Sequence, residues 1–267
     1  MSGLGKDIAV YLKYLRMHFL VGLQYKGWWL MSINVLVACA ADILPAYLLF
    51  SRMGSIGEWT WERILLIYSL AVASFGLAES FCRGFDYFPW RMLRSGDFDR
   101  LLLRPRSLSA QVAGSYFHIH RLSRAATGIG AIVWALGRMG VRPTPYTVAV
   151  ITLALAGGAL VYSGVFVMSS GIAFFTIKAL DWIYIVTNAS YQVTRIPIDY
   201  MPPVFRYAFT FIMPMLVISY MPAAAVCGWG GVSPAAGFLA LPAGIVFLVL
   251  SGFVWRIGVR SYQSTGS

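Results

Sequence analysis

Charged residues are scarce in this sequence, and acidic residues are the scarcest of them. Charged side chains make up 12% of the 267 residues, with 10 Asp and Glu against 21 Lys and Arg. Soluble domains contain about 25% charged residues, so this chain lacks the polar surface that a soluble protein needs. Its 59% hydrophobic content and mean hydropathy of +0.71 instead predict a membrane protein, because helices satisfy their own backbone hydrogen bonds in a bilayer.

Residues that build catalytic and metal sites are also rare. Cys39, Cys82 and Cys227 have no paired spacing, so neither a disulfide nor a metal site is predicted. The sequence has no G-x-x-x-x-G-K-[ST] and therefore no phosphate-binding loop of its own. His118 and His120 are two residues apart, which on a helix would point them away from each other. We predict no catalytic, cofactor or metal site; the alternative is a membrane enzyme that uses these two histidines with a metal.

The net charge of +11 is concentrated in three segments. Residues 6–26 have a net charge of +3, residues 83–124 have +5, and Arg256 with Arg260 adds +2. Basic residues beside apolar segments are typical of cytoplasmic loops of membrane proteins, so we expect no nucleic-acid partner. If all three segments are cytoplasmic, the number of crossings is even and both termini lie inside.

The apolar segments predict an all-α polytopic protein with six transmembrane helices, forming a single membrane domain over residues 1–267. An amphipathic helix at residues 6–26 precedes them and is expected to lie on the lipid of the inner leaflet. A cytoplasmic loop, residues 83–122, joins the second and third crossings. The predicted crossings are residues 27–50, 61–81, 123–140, 146–170, 172–193 and 235–255.

Two segments compete to be the fifth crossing. Residues 172–193 contain Lys178 and Asp181, which can pair within one helix. Hydropathy supports residues 204–221 nearly as well. We assign the first segment as the crossing, so residues 203–225 are predicted to form a re-entrant outer hairpin, since non-helical backbone at membrane depth is tolerated where protein covers it.

Four ionisable residues fall within or beside the predicted crossings: Asp42, Glu79, Lys178 and Asp181. A charge inside the membrane is costly, so these residues are candidates for a substrate pathway or for ion pairs. Glu79 precedes Arg83 by four residues, which is the spacing of a helical ion pair. Asp42 lies either in a helix-facing environment or among the outer headgroups. The four residues also support an alternative function, that of an ion- or proton-coupled secondary transporter.

The central loop has the most ordered pattern in the chain. Leucines and charged residues alternate there as in a short surface helix, between a break at Ser95 and Gly96 and a stop at Pro105. We predict a helix over residues 95–106 that docks a partner, with the leucines buried and the charges in contact with the partner. The alternative is that the loop only satisfies the positive-inside rule. The candidate docking residues are Arg94, Ser95, Gly96, Asp97, Asp99, Arg100, Leu101, Leu102, Leu103, Arg104 and Pro105.

Residues 94–105, with Glu79 to Arg83 and Phe88-Pro89, resemble the signature of permease subunits of bacterial ABC exporters of the type-2 class, in the group of uncharacterised permeases. A second similarity lies in residues 195–202 and continues through residues 211–214 and 220–223. The sequence departs from the family pattern at Phe98, where leucine is expected, and at Ile196, where an aromatic residue is common. The outer-hairpin residues of interest are Arg195, Pro197, Pro202, Pro214 and Pro222.

The resemblance implies six crossings, an interface helix, a coupling helix between the second and third crossings, and re-entrant outer helices before the sixth. It implies ABC ATPase subunits as partners, which bind ATP and Mg, whereas this chain has no cofactor and is not itself an enzyme. It also implies that the candidate docking residues are ATPase-coupling residues. A second permease, different or identical, would complete the pathway. The implied function is that of a permease of an ATP-driven exporter in the bacterial inner membrane.

Overall fold

The computed structural model describes residues 3–24, 26–176 and 192–263, which are mainly helical. The α-helices are α1 (Gly3–Gln24), α2 (Trp28–Met53), α3 (Trp61–Phe88), α4 (Phe98–Leu102), α5 (Leu108–Gly114), α6 (Leu122–Arg138), α7 (Pro145–Ala173), α8 (Pro203–Tyr207), α9 (Met215–Ile218), α10 (Tyr220–Cys227) and α11 (Ala240–Ser261). π-Helical turns follow α3 (Pro89–Leu93) and α8 (Ala208–Ile212), and 3-10 turns occupy Ile119–Arg121, Val193–Arg195, Ile198–Tyr200 and Pro234–Leu239. Two short antiparallel strands, β1 (Ser55–Ile56) and β2 (Trp59–Thr60), form a hairpin that the all-α prediction did not include.

Four helical stretches within the described ranges are long and apolar enough to span a bilayer: Trp28–Met53, Trp61–Leu93, Pro145–Ala173 and Pro234–Ser261. A fifth arises if the pair Pro203–Ile212 and Met215–Cys227, bent by 71°, is one broken span. The all-α class and the multi-pass character are therefore confirmed. The count of six crossings and the re-entrant hairpin stay predictions, since the bent pair fits either geometry.

The predicted crossings differ from the helices mainly at their ends. α3 and its π turn continue to Leu93, well beyond the predicted end at residue 81, because the charged residues in this part pair with one another. The predicted bounds place a turn at residue 171, between the fourth crossing and the fifth. This turn is wrong, because α7 continues through residue 171. Gly171 is instead buried inside the helix and packs on Trp255. Most of the predicted fifth crossing, with Lys178 and Asp181, lies outside the described residues.

α7 and α11 pack together closely through glycines. A Cβ atom on Gly157 would lie 2.1 Å from the carbonyl oxygen of Ala240, and one on Gly171 would lie 2.8 Å from the backbone nitrogen of Trp255. The residue numbers of the contacting pairs increase together along both helices, so the helices run in the same direction. Small residues let helix backbones approach each other, which favours association in a bilayer, where lipid is as apolar as the side chains.

This packing predicts different effects of two Gly→Ala substitutions on thermal stability. Gly157→Ala should lower the thermal unfolding midpoint of the detergent-solubilised protein, because the new methyl group meets the α11 backbone. Gly252→Ala should leave the midpoint unchanged or raise it, since no other described part of the chain lies within 4 Å of that Cβ position and alanine favours a helix by about 1 kcal/mol. Equal midpoints for the two variants would contradict the close approach.

α3 is the central helix of the fold. It packs antiparallel on α6, where a Cβ on Gly76 would lie 2.5 Å from the nitrogen of Ala125 and one on Gly128 would lie 2.6 Å from that of Ala73. On its other side the Phe75 ring contacts the ring of Tyr162 in α7 at 5.0 Å. Most of the α3 side chains from residue 64 to 80 are buried. Side chains on α3 are therefore held by neighbours on two faces.

α1 corresponds to the predicted amphipathic helix. The Tyr11 hydroxyl donates a hydrogen bond to the carbonyl of Phe81 at 2.7 Å, and Tyr14 packs on Gly114 of α5. Ile8 and Leu12 are more than half exposed. α1 thus contacts α3 and the loop between α3 and α6, and it leaves apolar side chains uncovered; its position on the inner leaflet stays a prediction.

Candidate coupling surface and arginine cluster

A glycine turn begins the central motif. Gly96 has a φ of +77°, a conformation that other residues disfavour. The Ser95 hydroxyl donates to the carbonyl of Arg91 at 2.6 Å and to the Asp97 carboxylate at 2.9 Å, and Asp97 also pairs with Arg100 at 3.1 Å. α4 follows with only five residues. The position of the predicted helix over residues 95–106 is therefore confirmed, but the observed helix is shorter than the predicted one.

The burial of the leucines differs from the prediction. Phe98 is fully buried and Leu101 nearly so, whereas Leu102 is 46% and Leu103 is 85% exposed. The expectation of buried leucines is right for Leu101 and wrong for the other two. Residues 98 and 101 share one face of a helix, and three consecutive residues do not. Phe98, the departure from the family pattern, is the main apolar contact of α4 with the rest of the chain.

Phe98 lies in an aromatic cluster that joins four elements. Its ring centroid is 5.3 Å from that of Phe88, 5.4 Å from that of Phe174 and 4.8 Å from that of Tyr262. Trp255 of α11 completes the cluster at 5.0 Å from Phe88. Such edge-to-face pairs contribute about 0.5–1.5 kcal/mol each beyond the area they bury. The cluster links α4 with the adjacent ends of α3, α7 and α11.

Two charged residues of the motif contact other parts of the chain. Asp99 accepts a hydrogen bond from Tyr262, and burial together with this carboxylate raises the pKa of the Tyr262 hydroxyl. Arg104 donates to the Tyr14 hydroxyl of α1 at 3.3 Å. Asp99 thus has a hydrogen-bond partner within the chain, and its contact with a partner protein stays a prediction. The exposed residues, here named the coupling surface, are Arg94, Ser95, Asp97, Arg100, Leu102, Leu103, Arg104, Pro105 and Arg106.

Glu79 is the centre of a second group, the arginine cluster. Its side chain is 1% exposed and forms ion pairs with Arg83, with Arg121 at 3.0 Å and with Arg124 at 3.4 Å. Arg83 also contacts Asp86 at 3.4 Å. The predicted Glu79–Arg83 pair is confirmed. The partners Arg121, in the 3-10 turn before α6, and Arg124, in the first turn of α6, were missed, although their spacing of three residues is that of neighbours on a helical surface.

Asp42 also has a partner. Arg195 lies 3.4 Å from the Asp42 carboxylate, and its guanidinium sits 5.1 Å from the centre of the Tyr68 ring. The Tyr68 hydroxyl in turn donates to the carbonyl of Cys39 at 3.3 Å. Asp42 therefore has an ion-pair partner on another segment while 39% of its side chain stays exposed, and its depth in the membrane stays a prediction. Arg195, expected in the outer hairpin region, joins that region to α2.

The prolines of residues 197–222 mark the breaks in this region. Pro197 precedes the 3-10 turn Ile198–Tyr200, and Pro202 precedes α8. Pro214 lies at the bend before α9, while Pro222 is buried inside α10. The β-hairpin contacts this region, because the Trp59 indole donates to the Asp199 carboxylate at 2.8 Å.

The two histidines are closer than predicted. His118 is extended and His120 lies in a 3-10 turn, so the helical geometry assumed for them is wrong, and their rings are 5.2 Å apart. Burial, with Arg121 beside it, lowers the pKa of His120 to about 4, so this imidazole is neutral at pH 7. Within the described part of the chain, no three His, Cys, Asp or Glu side chains are grouped to hold a metal.

The chain was compared with known proteins. The family model described as "ABC-2 family transporter protein" matches residues 36–266, from the first half of α2 to beyond α11. The chain belongs to this family. It is therefore a membrane permease of an ABC transporter, a transport subunit of the kind that works with ABC ATPase subunits. Neither the characterised proteins nor the solved structures contain a significant match to this ABC-2 permease.

Proposed function

We propose that this permease belongs to an ATP-driven exporter and that an ATPase subunit docks on its coupling surface. The observation that supports this most directly is the contrast in burial between the beginning of α4 and the residue that follows it. Phe98 is fully buried in the aromatic cluster, while Leu103 is 85% exposed only five residues later. An exposed leucine beside arginines, on a short element anchored in the membrane domain, fits a contact for another protein.

The aromatic cluster would transmit movement at such a contact to the membrane-spanning helices. A five-residue helix has no stability of its own, so α4 keeps its shape through packing. Because Phe98 touches Phe88, Phe174 and Tyr262, a push on α4 reaches α3, α7 and α11 together. Closure of ATP-bound subunits would shift the pathway from inward to outward access through this linkage.

The charge distribution supports the orientation that we propose. Residues 83–124 and the arginines Arg256 and Arg260 lie toward the α4 end, which would be cytoplasmic by the positive-inside rule. Both termini would then lie on the cytoplasmic side of a bacterial inner membrane. The bent pair at residues 203–227 would be re-entrant from the outer side. A second permease, different or identical, would form the pathway together with this chain.

The alternative, a transporter driven by ions or protons, is less well supported. Its candidate carboxylates need to release and rebind a cation. Glu79 contacts three guanidinium groups, and Asp42 contacts Arg195. Carboxylates held in this way are suited to structural ion pairs rather than to repeated exchange.

Docking predicts a specific effect of Leu103→Asp. We expect the variant to reach the membrane in normal amount, because this exposed side chain contributes little to the fold. It should retain an ABC ATPase at least about tenfold less well, because a carboxylate that is buried in an apolar contact without a partner is costly. Purification from native membranes, followed by quantification of the bound ATPase, measures this. Leu103→Met, which conserves volume, is the matched control. Equal ATPase recovery with Leu103→Asp would exclude this surface as the docking site.

A further inference from the structure

A groove lies between α2 and the beginning of α6, beside the arginine cluster. Its volume is about 390 Å³. One wall is formed by Met31, Asn34 and Ala38 of α2, and the other by His120, Arg121 and Arg124. Nothing in the coupling mechanism proposed above uses this groove.

The groove is positively charged for a structural reason. The arginine cluster has three arginines and two carboxylates, Glu79 and Asp86, which leaves one positive charge uncompensated. The Glu79 side chain is 1% exposed and lies beneath the guanidiniums, whereas the side chains of Arg121 and Arg124 are each 21% exposed. An anion in the groove therefore meets the arginines and is separated from the buried carboxylate.

Arg121 and Arg124 both line the groove with partly exposed side chains. The Nε atom of Arg124 lies 3.4 Å from the Glu79 carboxylate, so this arginine is held in place by the buried ion pair. A ligand with several acceptor oxygens fits the exposed part of the two guanidinium groups, because guanidinium groups match phosphate oxygens in geometry.

Exposed apolar side chains occur on both helices that border the groove. Leu30 lines the groove itself, and Val37 of α2 with Ile129 and Val133 of α6, outside its lining, are also more than 40% exposed. An acyl chain attached to the anionic group would cover such surface. A soluble anion would leave it uncovered, so the combination of charge and apolar surface favours a lipid.

We propose that this groove binds the phosphate-bearing headgroup of an anionic membrane lipid. Arg121 and Arg124 hold the phosphate oxygens, Asn34 and the neutral His120 offer further hydrogen-bond donors, and the apolar surface of α2 and α6 receives the beginning of the acyl chains. The site depends on the membrane location of the chain but not on docking at the coupling surface or on the direction of transport.

Native mass spectrometry of the purified full-length protein in detergent tests the proposal, with phosphatidylglycerol as the probe. We expect phosphatidylglycerol to bind at least about tenfold more tightly than zwitterionic phosphatidylcholine, which corresponds to about 1.4 kcal/mol. Arg124→Gln should remove most of this preference. The control Arg138→Gln deletes the same charge from the exposed far end of α6 and should leave the preference intact. Equal affinity for the two lipids in the unmodified protein would overturn the proposal.

Arg124 also pairs with Glu79, so Arg124→Gln can weaken lipid binding by destabilising the fold. A second variant distinguishes this effect from the loss of the lipid site. Ala38→Trp fills the groove from the exposed side of α2 and keeps every charge; it should weaken phosphatidylglycerol binding as Arg124→Gln does, with unchanged thermal stability. Undiminished binding by this variant would place the lipid elsewhere. Glycerol 3-phosphate should fail to compete at equal concentration, and effective competition would show that the ligand is a soluble anion instead.

Discussion

A Glu79→Gln variant is expected to lose most of its folded form. Removal of this carboxylate leaves Arg83, Arg121 and Arg124 facing one another without the group that binds all three. Loss of one partner of a buried ion pair typically costs about 3–5 kcal/mol, a large part of the stability of a typical protein. The yield of monodisperse protein after detergent extraction, together with its thermal unfolding midpoint, measures the loss.

Two controls separate charge balance from other effects of Glu79→Gln. Glu58→Gln removes a carboxylate that is 87% exposed and 3.9 Å from Arg63, and should change stability by no more than about 1 kcal/mol. The double variant Glu79→Gln/Arg121→Gln should recover part of the lost stability, because it removes one of the unpaired cations. If the double variant is less stable than Glu79→Gln alone, repulsion among the arginines is not the cause.

A Phe98→Ala variant should separate ATP hydrolysis from transport. The substitution opens a cavity in the aromatic cluster, and Phe→Ala changes in packed sites cost about 3–5 kcal/mol. α4 would then lose its main apolar contact with α3, α7 and α11. We expect the complex to keep its ATPase and to hydrolyse ATP, while ATP-dependent transport in proteoliposomes falls at least about tenfold.

A conservative substitution at the same position provides the control for Phe98→Ala. Phe98→Leu, which introduces the residue expected at this position, should retain most of the coupling because it keeps the site filled. Full transport by Phe98→Ala would show that the movement of the ATPase is transmitted to the membrane domain through contacts other than the aromatic cluster.

Local patterns predicted much of this fold. Apolar runs located the helical crossings that the structure describes, and the break at Gly96 with the stop at Pro105 located α4. Spacing of four residues also predicted the Glu79–Arg83 pair. These features depend on contacts within one turn of helix or on the length of an apolar run, and both can be read directly from a sequence.

Contacts between distant segments could not be predicted. Phe98 meets Phe174 and Tyr262 only because three helix ends converge, and Glu79 meets Arg121 only because α6 returns along α3. The exposure of Leu102 and Leu103 was missed for a related reason, since a run of three leucines does not indicate which of them faces the protein. The family match locates the chain in a class but gives no such side-chain contact.

α2 differs from α3 in how its orientation is fixed. It has 26 residues, about 39 Å of helix, and its buried side chains are Val35, Cys39 and Phe50. This length exceeds a hydrocarbon layer of about 30 Å, and a helix in that situation tilts. α3 has neighbours along its length and cannot tilt independently. The thickness of the surrounding bilayer should therefore set the angle of α2, so that lipids of different chain length alter the width of the space between α2 and α6.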